Sequence, residues 1–223
     1  MPKAVIFDVD GTLVDSVDLH ARAWQDAFAE FGHQIAPGEL RGQIGKGGDQ
    51  LMPVFLSPDE LEQRGHALES RRSEILKERY LGRITAFPEV RALFERIRQD
   101  GTKIILASSA KSDELATYKK IARISDLIDA ETSSDDAEKS KPHPDIFEAA
   151  LATIPGLAPA DAIVVGDTPY DAEAATKAGL RTVGMLCGGF PEAGLREAGC
   201  IAIYADPKQL LAQYADSPLA PGY

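Results

Sequence analysis

Val5-Ile6-Phe7-Asp8-Val9-Asp10-Gly11-Thr12-Leu13-Val14-Asp15-Ser16 is the stretch on which the fold turns. A continuous apolar run ends in two carboxylates two positions apart, and Gly-Thr follows. An unbroken rather than alternating run reads as a strand covered on both faces, the pattern of a parallel sheet. Strand alternation would send Asp8 and Asp10 to opposite faces. Gly11 lets the chain leave the strand there and turn both toward one site. Two close carboxylates resist joint ionisation unless a cation lies between them, and oxygen-only ligands suit Mg²⁺.

Working outward, similar runs recur at Lys103–Ala107, 127–130, 162–165 and Arg181–Met185, with 201–204 as an added edge strand. Helical patterns fill the intervals: Val90–Gln99, stopped by Gly101; Ser112–Ala122; 144–152, with proline in its first turn; and 171–178, closed by Gly179. Strand–helix alternation of this kind implies right-handed crossovers and an α/β fold, a doubly wound, mainly parallel Rossmann-like sheet. One segment breaks the alternation. Residues 16–85 show helical periodicity, with Leu19, Ala23, Trp24, Ala27, Phe28 and Phe31 as an apolar stripe and 60–80 as a charged helix. A loop after a first strand is ordinarily short. The segment is therefore expected to be an inserted α-helical cap over the sheet edge, with residues 1–15 and 86–223 as the core.

The chain of 223 residues carries 24 Lys+Arg against 35 Asp+Glu, a net charge of −11. That acidity argues against nucleic acid or an anionic membrane as partner. It does not exclude a phosphate ester, because a bound metal reverses the field locally. No apolar run approaches the about 18 residues of a membrane span. The two cysteines, Cys187 and Cys200, form no disulfide framework and no zinc motif. Cytoplasmic location is the expectation, as a monomer or weak homodimer.

A further acidic cluster follows the 162–165 run: Gly166-Asp167-Thr168-Pro169-Tyr170-Asp171. Strand C-termini of a parallel sheet share one edge, so Asp167 and Asp171 are expected beside Asp8 and Asp10. The bland alternatives are a helix N-cap for Asp167 and a first-turn acid for Asp171. Ser108 ends another strand, where a hydroxyl can hold a phosphoryl oxygen, and Ser109 follows it. Lys141, in Lys139-Ser140-Lys141-Pro142, is a candidate for neutralising a nucleophile and a phosphate; the ordinary reading is a solvated surface lysine.

Asp8-Val9-Asp10-Gly11-Thr12, Ser108, Lys141-Pro142 and Gly166-Asp167 with Asp171 stand in the order of the four motifs of the haloacid dehalogenase (HAD) superfamily. The chain closely resembles its phosphatases with a helical cap inserted after the first motif, the group of phosphoglycolate phosphatases, sugar phosphatases and β-phosphoglucomutase. The resemblance implies Asp8 as nucleophile forming an aspartyl-phosphate, and Asp10 as the acid that protonates the leaving oxygen and then activates water. It implies Mg²⁺ held by Asp8, Asp10 through its backbone carbonyl, Asp167 and Asp171, the last through water. Ser108 would bind the transferring phosphoryl group, and Lys141 would offset its charge. Thr12 and Ser109 are placed with the substrate-binding groups. The second aspartate distinguishes this pattern from dehalogenases, which lack it, and phosphonatases, which carry alanine there. The implied activity is Mg²⁺-dependent hydrolysis of a small phosphorylated metabolite. The alternatives are a phosphomutase of the β-phosphoglucomutase type and a non-catalytic binding protein of the same fold.

Gly42-Gln43-Ile44-Gly45-Lys46-Gly47-Gly48-Asp49 is glycine-rich around a lysine but is not a P-loop, since no Ser/Thr follows Lys46. In capped relatives the matching loop reaches the substrate, which makes Lys46 a candidate contact. His20 is expected near the cleft, and Trp24 in the cap core. Where the mutase has a cap-loop arginine, this chain has Gly47. His33, His66 and His143 show no metal-ligand spacing, and no Gly-x-Ser-x-Gly elbow surrounds Ser108. The tail 217–223 is expected to be frayed.

Overall fold

The computed structural model describes residues 2–222. β1 (Ala4–Phe7) runs into a two-residue strand, β2 (Val14–Asp15). The helices α1 (Val17–Glu30), α2 (Pro37–Arg41), α3 (Gly48–Leu51) and α4 (Pro58–Ile75) follow, then a π-helical turn, Leu76–Tyr80. The chain returns through β3 (Thr85–Ala86) to α5 (Val90–Gln99), β4 (Lys103–Ala107), α6 (Ser112–Ala122), β5 (Ala130–Thr132) and α7 (Asp145–Ala152). β6 (Ala162–Gly166), α8 (Pro169–Lys177), β7 (Arg181–Met185), α9 (Glu192–Glu197), β8 (Cys200–Tyr204) and α10 (Pro207–Ala212) complete it.

Six strands form one sheet in the order β5-β4-β1-β6-β7-β8, every pairing parallel. The strand order reverses between β1 and β6. In doubly wound sheets a crevice opens there, beyond the strand C-termini, and binds ligand. β1 is entirely buried, as the unbroken apolar run predicts. α5 shows how the sheet is covered. Val90, Leu93, Phe94 and Ile97 recur at helical spacing and are all buried, each contributing about 1.5–3 kcal/mol by leaving water. Phe94 meets Phe7 at 4.7 Å between ring centroids; Phe94→Ala would cost about 3–5 kcal/mol.

The helices between β2 and β3 gather their own apolar cluster, including Trp24, Phe28, Leu40, Leu51, Leu68 and Ile75. α4 starts at a complete capping box, Ser57 with Glu60, and proline at its first position. Leu19 leaves this stripe and packs against the main core instead.

Two expectations need correction, and one pairing was not expected. At the two borders of the inserted helices β3 pairs antiparallel with β2, Val14 opposite Ala86 and Asp15 opposite Thr85. Two residues carry too little pattern to be read. The strand expected at 127–130 begins only at Ala130, because Leu127 closes a turn onto Ile124 and the Asp129 carboxylate caps the Ile104 amide. The tail is not frayed through 217–220: Ser217, Leu219 and Ala220 are buried, and Tyr214 donates to the Leu219 carbonyl. Tyr223 lies outside the described residues.

Candidate active site

The C-terminal ends of β1 and β6 deliver Asp8 and Asp167, and the first turn of α8 delivers Asp171. All three are buried, and one carboxylate oxygen from each lies within 4.8 Å of the others. Lys141 is also fully buried, which overturns the surface-lysine reading. Its Nζ lies 2.6 Å from Asp8 Oδ1 and 2.7 Å from Asp171 Oδ1, and donates to the Ala107 carbonyl at 3.2 Å. The Lys141–Pro142 peptide is cis.

Asp171 fills both roles considered for it. Oδ2 accepts from the Thr168 amide and hydroxyl, closing the capping box of α8, while Oδ1 faces Lys141. The N-cap itself is Thr168, not Asp167. Asp167 Oδ1 lies 2.9 Å from Thr12 Oγ1; Oδ2 has no hydrogen-bond partner among the described residues. Two glycines make room for that oxygen. At Gly11, with φ of +82°, a Cβ would lie 2.4 Å from it, and at Gly188 1.6 Å.

Three buried carboxylates thus face one ammonium. Burial pushes the Asp8 carboxyl up to about 7, against the lowering pull of Lys141, with Asp171 raising it further. Burial, then Asp8 and Asp171, push Asp167 well above the carboxylate range. Burial alone would lower Lys141, but Asp171 and Asp8 raise it above an ordinary lysine. A divalent cation among the three carboxylates removes the cause of the crowding. The orphaned Asp167 oxygen and the all-oxygen donor set fit a hard cation.

Asp10 is not in that cluster. Its side chain turns toward the inserted helices: Oδ1 accepts from Ser16 Oγ at 2.6 Å and lies 2.8 Å from His20 Nε2. Ser16 stands at the N-cap of α1, yet its hydroxyl serves Asp10 rather than the helix. Burial raises the Asp10 carboxyl, but His20, Ser16 and Arg72 together hold it below the usual range. His20 Nε2 also lies 3.1 Å from the Tyr118 hydroxyl on α6.

A cleft of about 290 Å³ opens above these groups, between the core and the inserted helices. Asp8, Asp10 and Ser109 line its floor; His20, Trp24, Lys46 and Arg72 line its other side. Ser108 and Thr12 are fully buried beneath it. Ser108 Oγ accepts from the Ala110 amide, and Thr12 Oγ1 sits between Asp167 and Asp8, 3.3 Å from Asp8 Oδ2. Lys46 Nζ donates to Gln43 at 2.6 Å and lies 4.6 Å from the Tyr170 ring centre. Arg72, Ser73 and Glu114 also line the cleft, and no sequence motif marks them. They look like ordinary helix-surface residues until α4 and α6 are brought face to face.

The model of haloacid dehalogenase-like hydrolases matches residues 5–185. A putative pyrophosphatase PpaX of Clostridium perfringens is 29% identical over 198 residues, covering 89% of this chain and 90% of its own. The phosphoglycolate phosphatase of Aquifex aeolicus is 27% identical over 191 residues, covering 83% of this chain and 85% of its own. A chloroplastic Arabidopsis thaliana protein, SUPPRESSOR OF QUENCHING 1, is 32% identical over 201 residues, covering 88% of this chain; the chain spans only 19% of its length. The crystal structure of a hydrolase from Pseudomonas syringae superposes with a TM-score of 0.86 at 28% identity, over 96% of this chain and 98% of its own. With its six-stranded parallel sheet and buried triple carboxylate, the chain belongs to the haloacid dehalogenase-like hydrolase family.

Proposed function

We propose that this protein is a phosphatase that hydrolyses the phosphate monoester of a small metabolite with Mg²⁺ as cofactor. The observation that carries the reading is the buried set Asp8, Asp167, Asp171 and Lys141 beneath a cleft floored by Asp8 and Asp10. Relatives with phosphatase names support it.

Asp8 attacks phosphorus and the ester bond breaks, giving an aspartyl-phosphate and an alkoxide; Asp10, which His20, Ser16 and Arg72 favour as a carboxylate in the free protein, takes up a proton when substrate binds and passes it to that alkoxide. Asp10, now a carboxylate, takes a proton from water, which attacks phosphorus and returns Asp8 and inorganic phosphate. Asp8 and Asp167 would hold Mg²⁺, with the backbone carbonyl of Asp10 as a further ligand and Asp171 assisting through water. The cation would supply charge neutralisation for the transferring phosphoryl group. Lys141 adds a fixed positive charge beside Asp8. Ser108 and Ser109 hold phosphoryl oxygens, Thr12 orients Asp8 and Asp167, and Lys46 and His20 meet the substrate from the inserted side. The insertion, residues 16–85, acts as a cap that excludes water.

Hydrolysis is favoured over mutase chemistry by one contact set. Arg41, the cation near the glycine-rich loop that could have gripped a second phosphate, is committed elsewhere. Its Nε lies 2.7 Å from Asp18 Oδ1, and Nη2 donates to the Gly188 carbonyl at 3.0 Å. Cys187 and Cys200 are free thiols, which supports a reducing compartment, the cytoplasm. Among the described residues no helix is long and apolar enough to cross a membrane.

The test is release of inorganic phosphate from p-nitrophenyl phosphate with and without Mg²⁺, for the wild type and Asp8→Asn. Mg²⁺-dependent release that disappears in Asp8→Asn is expected. Equal release from the folded variant would remove Asp8 as nucleophile.

A further inference from the structure

Lys141 reaches the nucleophile from a stretch with no regular structure. Residues 137–144, just ahead of α7, form neither helix nor strand, yet they carry a fully buried ammonium to 2.6 Å from Asp8 Oδ1. That ammonium ends a flexible four-carbon stem, and three oxygens compete for it: those of Asp8, Asp171 and the Ala107 carbonyl. Where the stem begins therefore decides how well Nζ stays with Asp8. Irregular backbone has no ladder of hydrogen bonds to hold it, so side chains from elsewhere must. Three do so around Lys141. The core supplies two: Asp145 accepts from the Lys139 amide at 2.9 Å, and Lys177 donates to the Pro142 carbonyl at 2.6 Å. The third comes from the inserted segment. Asp49 Oδ2, in α3, accepts from the Ser140 amide at 3.1 Å. Gln50 Nε2 donates to the same oxygen at 2.9 Å and steadies the carboxylate.

We propose that Asp49 is a positioning residue for Lys141: seated through Gly47, it fixes the Ser140 backbone from which the ammonium reaches Asp8. The inference rests on the phosphatase reading above for the step that Lys141 assists. Gly47 shows that the seat is built for contact. It is buried, and a Cβ there would overlap Ser140 Oγ. Its φ of −75° is open to any residue, so glycine serves close approach here and not backbone freedom. The same loop meets the core beside a second site residue: a Cβ at Gly45 would lie 2.6 Å from the methyl of Thr168, the residue after Asp167. Drawing α3 away would free the Ser140 amide and leave Lys141 with the two core contacts alone. The site is thus complete only while the inserted segment is docked. Asp49 also lines the cleft, which makes direct substrate contact the rival role. The two differ in kinetics. Loss of a binding contact raises KM, whereas a misplaced ammonium lowers kcat.

The experiment measures Mg²⁺-dependent hydrolysis of p-nitrophenyl phosphate and, by NMR, amide exchange at Ser140, in the wild type, Asp49→Ala, Asp49→Asn and Gly47→Ala. Asp49→Ala should lower kcat at least fivefold with KM within twofold of wild type, and speed Ser140 exchange at least fivefold. Asp49→Asn keeps a carbonyl oxygen for the Ser140 amide and should have a kcat at least threefold above that of Asp49→Ala. Gly47→Ala keeps the carboxylate but lifts it off Ser140, and should share both changes of Asp49→Ala. A smaller loss of kcat in Asp49→Ala, a loss carried by KM, no such rescue in Asp49→Asn, or a Gly47→Ala that behaves as wild type overturns the assignment. Failure of the phosphatase reading looks different: the wild type itself hydrolyses no ester. Exchange at Ser140 then decides alone, and an acceleration below fivefold in Asp49→Ala overturns the positioning role.

Discussion

His20 Nε2 lies 2.8 Å from Asp10 Oδ1 although the two residues belong to different bodies of structure, one to the first inserted helix and one to the loop after β1. The inserted helices therefore do more than roof the cleft: they hold the carboxylate proposed to move the proton. A hydrogen bond to a charged group is worth about 1.5–3 kcal/mol, or about 10–150-fold in rate when it is made in the transition state. His20→Asn should lower kcat for Mg²⁺-dependent hydrolysis by a factor in that range, with a much smaller change in melting temperature. A kcat within twofold of wild type would show that the contact only packs the hinge region.

Lys141 offsets two of three buried carboxylates. Removing one partner of a buried ion pair costs about 3–5 kcal/mol. Lys141→Ala should lose stability of that order in urea unfolding at neutral pH, and Mg²⁺ should restore part of it by replacing the missing positive charge. A variant as stable as wild type without Mg²⁺ would mean that the three carboxylates do not share their charge as the geometry implies.

Gly188 and Gly82 separate close approach from freedom of the backbone. A Cβ at Gly188 would lie 1.6 Å from Asp167 Oδ2, whereas at Gly82 nothing lies within 4 Å. Gly188→Ala should weaken Mg²⁺ binding at least tenfold by calorimetry, because Asp167 must move. Gly82→Ala should be neutral or stabilise by about 0.4–1 kcal/mol through the unfolded chain. Equal Mg²⁺ affinity in the two variants would argue against Asp167 as a ligand.

The thiols give a pH dependence with a definite sign. Burial pushes Cys200 up to about 12, and Cys187 beyond the thiol range. The reactive thiolate is thus scarce in the folded protein at pH 8.5, near the ordinary thiol pKa. Iodoacetamide should label neither residue appreciably at that pH, with the Cys200 rate rising as pH climbs toward 12, and both should react quickly in denaturant. Fast native labelling at pH 8.5 would contradict the packing around β7 and β8.

Cap movement is the fifth expectation. The closed arrangement rests on Arg41 against the Gly188 carbonyl, Tyr170 donating to the Gly42 carbonyl at 2.6 Å, and the Ser140 amide donating to Asp49. Mg²⁺ with beryllium fluoride, a mimic of phosphorylated Asp8, should slow hydrogen exchange in residues 42–49, and Arg41→Ala should speed it. Unchanged exchange despite confirmed ligand binding would count against a moving cap.

What could be read from the sequence follows from where each signal resides. The parallel sheet was legible because buried strands write continuous apolar runs, as in 4–7 and 162–165. The carboxylate cluster was legible because strand C-termini converge on one edge. β2 and β3 were not, since two residues carry no period. The roles of Thr12 and Ser108 depend on depth beneath the cleft, which sequence does not encode. Glu114 and Arg72 stand 42 positions apart and meet only where α4 and α6 approach at the cleft, so no local pattern announces them.

The pairing of Val14 with Ala86 has a topological consequence. The inserted helices leave and re-enter the sheet domain at adjacent points, so their some seventy residues form an excursion that ends where it began. A short turn could join the same two points without altering the register of any of the six parallel strands. The part of the molecule proposed to meet the substrate from above is therefore a replaceable module, able to diverge in length and shape while the chemistry beneath it stays fixed.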